Sequence, residues 1–371
     1  MKNTMKKALV FALSLSLVLG LSPLSHSESR KLRLVATVFP QYDWLRNILG
    51  ERMNEVELTL LQDSGVDLHN FQPSARDIMK VSSADLFVYI GGPSDKWVDD
   101  ALSQAVNREM VAVNLMQALG DAVKADVTIE GMQETAHAHD HDEHDHGHEE
   151  EQGHEKEHEN AHDHEEEHEH EHEDAHDHEE EHGHDKHEGH EHAHEDEHIW
   201  LSLRNAQALI PVLTDALSRL DPEHAASYQA NAAIYIEKLK ALDEAFQAAV
   251  DGATVKTLLF ADRFPFRYLM DDYGLQYFAA FSGCSAETEA SFETVTFLSG
   301  KVDELGLKNV LVLEGADKTL ASTIVNNTKA KDQAVVVFDS MQSVDQAALK
   351  RGVTYLSIME HNLQALKTAL N

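Results

Sequence analysis

Of the chain's 26 histidines, 22 fall between His137 and His198, neighbours two to six positions apart among aspartates and glutamates, as in His168-Glu169-His170-Glu171-His172. Imidazole is the commonest protein ligand for zinc, and a neighbouring carboxylate either joins the coordination shell or holds the ring in its ligating tautomer. A spacer that merely keeps two parts of a chain apart is usually built from Glu, Ser, Lys and Pro and has no use for histidine. The run therefore points to collection of divalent metal ions, with His137, His139, His141, His168, His170 and His172 among its accessory ligands.

The run also accounts for most of the chain's charge. It holds 28 acids against Lys156 and Lys186, so only −10 of the formal −36 belongs to the rest of the molecule. An acidic balance of this kind argues against nucleic acid as a partner and against anionic membrane surfaces. The 371 residues suggest two domains, and 42% apolar content suffices for real cores once the polar insert is set aside. Lys2, Lys6 and Lys7 followed by the apolar stretch 8–21, with Ser25 and Ser27 before a cleavage point, read as an export signal spanning 1–27. Cys284 is the single cysteine, so no internal disulfide is expected, and no cysteine near the cut offers a lipid anchor. A soluble periplasmic protein, expected to be a monomer, follows.

The elements that must position any metal site are legible as alternating patterns. Apolar runs at 34–38, 56–61, 86–90 and 111–114 predict strands, with helices around 42–49, 74–81 and 96–105 between them. After the insert the order returns, with strands at 257–260, 276–280, 309–313 and 334–338 and helices at 266–273, 292–304, 320–328 and 355–370. This βαβα order predicts two similar α/β domains with parallel sheets. Between them, residues 205–220 are amphipathic, and a helix opening at Asp221-Pro222 runs to about Val250. At 1.5 Å per residue it would be roughly 40 Å long, enough to act as a strut between the domains. The boundaries are then an N-terminal domain at 28–220 carrying a disordered insert at 134–197, a linking helix at 221–252 and a C-terminal domain at 253–371. The insert is expected to hang from the first α/β unit.

Open parallel sheets bind ligands beyond the carboxyl ends of their strands, so the loops there are the places to search. One carries Asp67-Leu68-His69-Asn70-Phe71-Gln72-Pro73-Ser74. A single loop histidine is by itself more often an ordinary polar residue than a ligand. The stretch, however, resembles the Asp-Pro-His-x-Tyr-x-Pro-x motif of the zinc and manganese receptors of ABC uptake transporters. Glu197-His198-Ile199-Trp200-Leu201-Ser202 is similar to that family's Asp-Pro-His-x-Trp-Leu-Ser/Asp signature. Val336-Val337-Phe338-Asp339-Ser340 and Tyr355-Leu356-Ser357-Ile358-Met359-Glu360-His361-Asn362 resemble its closing strand and final helix, and the His-rich insert stands where zinc receptors of the family carry one.

The resemblance implies two α/β domains joined by a long rigid helix, with one ion in the interdomain cleft. It implies ligands at His69, His198 and Asp339, and a fourth at the position of Ala261. Alanine cannot coordinate anything, and Phe260-Ala261-Asp262-Arg263-Phe264 departs there from the family pattern. Candidate replacements are Asp262, which Arg263 on the same turn would otherwise pair, Cys284, Glu287 and Glu289 on the loop after the 276–280 strand, and Glu314 after the 309–313 strand. A thiolate would favour zinc strongly, whereas a carboxylate would also suit manganese. Each has a structural reading as well: a small buried residue for Cys284, a helix cap for Glu314 or Asp339.

The expected function is that of a periplasmic receptor that binds Zn2+, with Mn2+ the other candidate, and delivers it to an inner-membrane ABC permease, without catalysis. A periplasmic zinc buffer or chaperone and a manganese receptor of the same family are the competing readings. A metallohydrolase is weaker, because no general base sits at fixed short spacing to the cleft ligands.

Overall fold

A computed structural model describes residues 30–133, 195–283, 285 and 289–371. The expected signal segment 1–27, the accessory histidines of the insert, Cys284 and Glu287 lie outside the described residues.

In the first lobe, strands β1 (Arg33–Ala36), β2 (Glu57–Leu60), β3 (Leu86–Tyr89) and β4 (Val111–Asn114) alternate with helices α1 (Phe39–Leu49), α2 (Ala75–Ser82) and α3 (Trp97–Ser103). They form a parallel sheet in the order β2-β1-β3-β4. A short α4 (Leu115–Leu119) follows, and after the insert comes α5 (Leu203–Leu220). Ser74 and Ser202 start α2 and α5 by accepting the N–H three residues on, the capping chemistry their sequences advertise. The second lobe repeats the plan. Strands β5 (Thr257–Phe264), β6 (Gln276–Ser282), β7 (Asn309–Leu313) and β8 (Ala334–Phe338) make a parallel sheet in the order β6-β5-β7-β8. Around it pack α7 (Arg267–Tyr273), α8 (Phe292–Leu305), α9 (Thr319–Asn327), α10 (Gln346–Lys350) and α11 (Tyr355–Ala369). Both sheets place the first strand's crossover to one side and the third strand to the other, so each has a switch point at its carboxyl edge.

Between the lobes lies α6 (Ala225–Asp251), 27 residues that follow Asp221-Pro222 as the sequence predicts. It packs on α1 and α5 from the first lobe and on α11 from the chain end. The helix is therefore a shared wall. One continuous apolar cluster joins Leu34, Trp44 and Trp200 of the first lobe, Tyr235 and Phe246 of α6, and Phe260, Phe338 and Leu366 of the second. A large apolar junction of this kind resists free hinging of the lobes. The final helix, read from sequence as part of the second domain, also crosses it: Tyr355 N donates to Asp43 of α1 at 3.0 Å, and Tyr355 Oη donates to Trp200 O at 2.6 Å.

The insert is not rooted on the first lobe alone. Leading into it, Gln133 N donates to Ala280 O at 2.9 Å and Gln133 pairs in parallel with Phe281 at the edge of the second sheet. Returning from it, Glu195 pairs with Ala125 and Asp196 N donates to Lys124 O at 2.8 Å. An exposed sheet edge accepts an added strand readily, which a reading of alternation along one segment does not reveal.

Candidate metal centre

Two loops of the first lobe use one local device. In Asp67-Leu68-His69, Asp67 Oδ1 accepts the backbone N–H of His69 at 3.0 Å. In Asp196-Glu197-His198, Asp196 Oδ1 accepts that of His198 at 2.9 Å. A short acidic side chain that bonds its own backbone two residues on fixes a tight turn and aims the residue it holds. The first turn follows β2; the second opens the chain's return from the insert and continues into a helical turn carrying Trp200. Trp200 is buried, and its Nε1 donates to Ser340 O of the second lobe at 2.9 Å, so the turn at His198 is pinned across the cleft.

The imidazoles so aimed meet. His69 Nε2 and His198 Nε2 stand 3.3 Å apart, with ring planes inclined at 68°. Two nitrogens each bound at about 2.05 Å to one tetrahedral zinc would lie about 3.3 Å from each other. Both Nδ1 atoms are occupied behind the rings. His198 Nδ1 is 2.7 Å from Asp196 Oδ1, and His69 Nδ1 is 3.0 Å from Ser94 Oγ and 3.4 Å from Glu197 Oε2. A carboxylate on Nδ1 keeps the proton there and leaves Nε2 free to ligate, the usual support for a metal-bound histidine.

Glu197 is held by Ser94, whose N and Oγ donate to its two carboxylate oxygens at 2.7 and 2.6 Å. Gly92 leaves the space for this: a Cβ there would stand 2.4 Å from Glu197 Cγ. The loop itself is tied by Asp95, which accepts from Ile90 N and Gly91 N, and whose carboxyl burial pushes up to about 6. Burial also pushes Glu197 upward, but hydrogen bonds from His69 and Ser94 outweigh it and hold the carboxyl below its ordinary range. For His198, burial opposes the charged ring, yet the charge and hydrogen bond of Asp196, followed by the charges of Glu197 and Asp67, leave its pKa raised. A buried negative environment that stabilises an extra positive charge beside Nε2 suits a cation equally.

On the second lobe the expected ligands behave differently. Ala261 is buried in that lobe's own core, next to a register shift in β5 between Phe260 and Arg263. Asp262 serves the backbone, accepting from Arg263 N at 2.8 Å and Leu313 N at 3.1 Å. The Arg263 guanidinium, expected to pair with Asp262, instead reaches Asp67 of the first lobe at 2.9 Å. Glu314 accepts from Ser340 N and Oγ at 2.8 and 2.7 Å; burial, then the charge of Asp339, push its carboxyl up to about 7. Glu289 is exposed, and its backbone oxygen accepts from Gln133 Nε2 at 3.4 Å. Asp339 accepts from Met341 N at 2.8 Å and lines a cavity of about 410 Å³ with Glu314, Asp345 and His361. Among the described residues no hydrogen bond joins Asp339 to His69 or His198, and no three His, Cys, Asp or Glu side chains are grouped to hold an ion. The loop bearing Cys284 does approach: a Cβ on Gly283 would lie 3.1 Å from His198 Cε1.

Among the described residues, the second lobe brings the side chain of Gln342, buried on the turn after β8, against His198 Nε2. With its amide oriented to satisfy both ends, Nε2 donates to the two Asp67 oxygens at 3.0 Å each and Oε1 accepts from His198 Nε2 at 3.2 Å. Sequence reading missed Asp196, Ser94 and Gln342, and treated Asp67 and Glu197 only as parts of motifs. The repeated Asp-x-His spacing was the available signal for Asp67 and Asp196. No signal marked Ser94 or Gln342, whose roles arise from contacts with Glu197 and His198 at sequence separations of 103 and 144.

A family model described as zinc-uptake complex component A, periplasmic, matches residues 34–369. The chain is 29% identical over 368 residues to the zinc-binding protein AdcA of Streptococcus pyogenes serotype M3, covering 98% of this chain and 61% of that protein. It thus spans about three-fifths of that relative's length. It is 27% identical over 344 residues to the high-affinity zinc uptake system protein ZnuA of Bacillus subtilis, covering 93% of this chain and 89% of that one. The Zn(II)-bound ZnuA-like domain of Streptococcus pneumoniae AdcA superposes with a TM-score of 0.62 at 25% identity, over 92% of this chain and 99% of that one. The metal-dependent lipoprotein YcdH of Bacillus subtilis superposes with a TM-score of 0.64 at 24% identity, over 92% of this chain and 99% of that one, which speaks to the fold.

Proposed function

Because the chain belongs to the family described as zinc-uptake complex component A, periplasmic, we propose that it is an exported receptor that captures zinc and presents it to an ABC permease for import. The observation that carries this reading is the convergence of His69 Nε2 and His198 Nε2 at 3.3 Å with both Nδ1 atoms held from behind. Zinc is the cargo, and no catalytic step is required. Two imidazole nitrogens favour zinc over manganese, which prefers carboxylate and carbonyl oxygens. The second lobe completes the site through the turn at Asp339–Gln342 or the loop at Gly283–Glu289, the latter bearing Cys284 and Glu287.

The insert has a separate part in this reading. Its imidazoles sit among carboxylates on a long tract, so each binds weakly and exchanges quickly, raising the metal concentration near the folded site. Support comes from its roots: one joins the second lobe at Gln133, and the other returns at Glu195, immediately before Asp196-Glu197-His198. Metal leaving the insert is thereby released beside the cleft.

The test is a zinc titration of the full chain against a competing chelator strong enough to keep the insert's sites empty. His69→Ala and His198→Ala should each weaken the first equivalent by roughly 100-fold or more, about a quarter of the ~10–16 kcal/mol typical of a four-ligand zinc site. Parent affinity in both variants would remove the site assignment. Asp339→Ala should weaken it less than either, acting through the turn that Met341 N closes.

A further inference from the structure

We propose that Gln342 supplies the second lobe's oxygen to the bound ion, taking the place left without a donor at Ala261; this rests on the reading of His69 and His198 as zinc ligands. The distances carry it. Oε1 of Gln342 lies 3.2 Å from His198 Nε2, which itself lies 3.3 Å from His69 Nε2. Ligand atoms about 2.0–2.2 Å from one tetrahedral zinc are separated by about 3.3 Å, so the hydrogen bond that Oε1 accepts from His198 Nε2 has the length of one edge of such a shell, and an ion at Nε2 would take the place of that proton.

The surroundings prepare the amide for that role. Both oxygens of Asp67 accept from Gln342 Nε2 at 3.0 Å, and Asp67 is itself fixed by His69 N and by Arg263 at 2.9 Å. Donating to a carboxylate polarises an amide and enriches its oxygen in electron density, as an anionic partner enriches a ligating imidazole. The same contacts fix which end of the amide faces the histidines. Met341, the residue before it, is buried in a left-handed conformation with φ of 65°, a costly geometry for a non-glycine residue. It is stabilised by the Asp339 carboxylate on its N–H and serves to turn Gln342 inward. An amide oxygen is neutral, so the ion keeps its charge at the first shell and is balanced by Asp67, Asp196 and Glu197 one layer out. Asp67 then touches both lobes and, through Gln342 and His69, both sides of the ion.

The experiment uses the full chain, with Gln342→Leu and Gln342→His compared with the parent and with His69→Ala, by chelator-competed zinc titration and by the visible absorption of the first equivalent of Co(II). Gln342→Leu should weaken zinc roughly 10- to 100-fold and change the Co(II) bands. Gln342→His should recover most of the affinity while moving the bands, because nitrogen replaces oxygen at the metal; a residue that only packs the cleft would leave them in place. Parent affinity and parent Co(II) bands in Gln342→Leu, with binding lost in His69→Ala, overturn the role of Gln342 and leave the histidine site standing. Parent affinity in His69→Ala as well would overturn the site on which the inference depends.

Discussion

In the first lobe Asp67 and Asp196 each accept the backbone N–H two residues on, and the residue so held is a histidine; in the second lobe Asp339 does the same for Met341. The turn is common to the three places and the chemistry is not. On the first side, buried carboxylates stand behind the imidazoles and leave Nε2 forward. On the second, Asp262 and Glu314 give both carboxylate oxygens, and Asp339 one, to backbone N–H groups and to Ser340, and among the described residues the Gln342 amide reaches His198. A carboxylate in a cleft loop is therefore as apt to build the loop as to face the ligand, and acceptor bonds to backbone decide which.

The contrast can be broken most strongly at the carboxylates behind the rings. Asp196→Asn and Glu197→Gln should each weaken zinc by about 10- to 100-fold, with His69 and His198 intact, since such partners fix tautomer and ring orientation. Chelator-competed titration measures this, and parent affinities would mean the Nδ1 contacts are incidental. On the second side the loss should appear as stability. Asp262→Ala leaves Leu313 N and Arg263 N without their acceptor, which should cost about 1–3 kcal/mol in denaturant unfolding of the metal-free protein. Its zinc affinity should stay near the parent's; a drop as large as that of Asp196→Asn would erase the distinction between the two sides.

The smallest effect expected is in pH dependence. Glu314, with an ordinary value of 4.5, is raised to about 7, first by burial and then by the charge of Asp339. The folded state thus keeps a proton that the unfolded chain has released, and metal-free stability falls as pH rises from about 4.5 to about 7. Glu314→Gln should flatten that slope in melting temperatures across the interval while leaving zinc binding unchanged. An identical slope in the variant would place the proton elsewhere.

Much of the fold was open to reading because its signals are local. Strands β4, β7 and β8 fall where apolar runs predicted them, and α6 begins at Ala225, one short helical turn beyond the Asp221-Pro222 start signal. The short α4 and α10 escaped, being five residues each and held by their surroundings more than by any periodicity. The domain boundary at 253 was less informative than it looked, because α11 and α6 bury their apolar faces in a core common to both lobes.

The amino-acid order alone carried the signs of metal binding: a tract of imidazole and carboxylate, and an Asp-x-His spacing both on the loop after β2 and where the chain returns from the insert. Those are matters of composition and of contacts two residues apart. Tertiary structure alone decided which second-lobe group faces the histidines. Whether Asp339 or Gln342 turns inward depends on which N–H its carboxylate captures, on the Met341 turn, and on Arg263 and Asp67 meeting across the cleft. Contacts between residues nearly two hundred positions apart leave no mark on either segment until both sheets are in place.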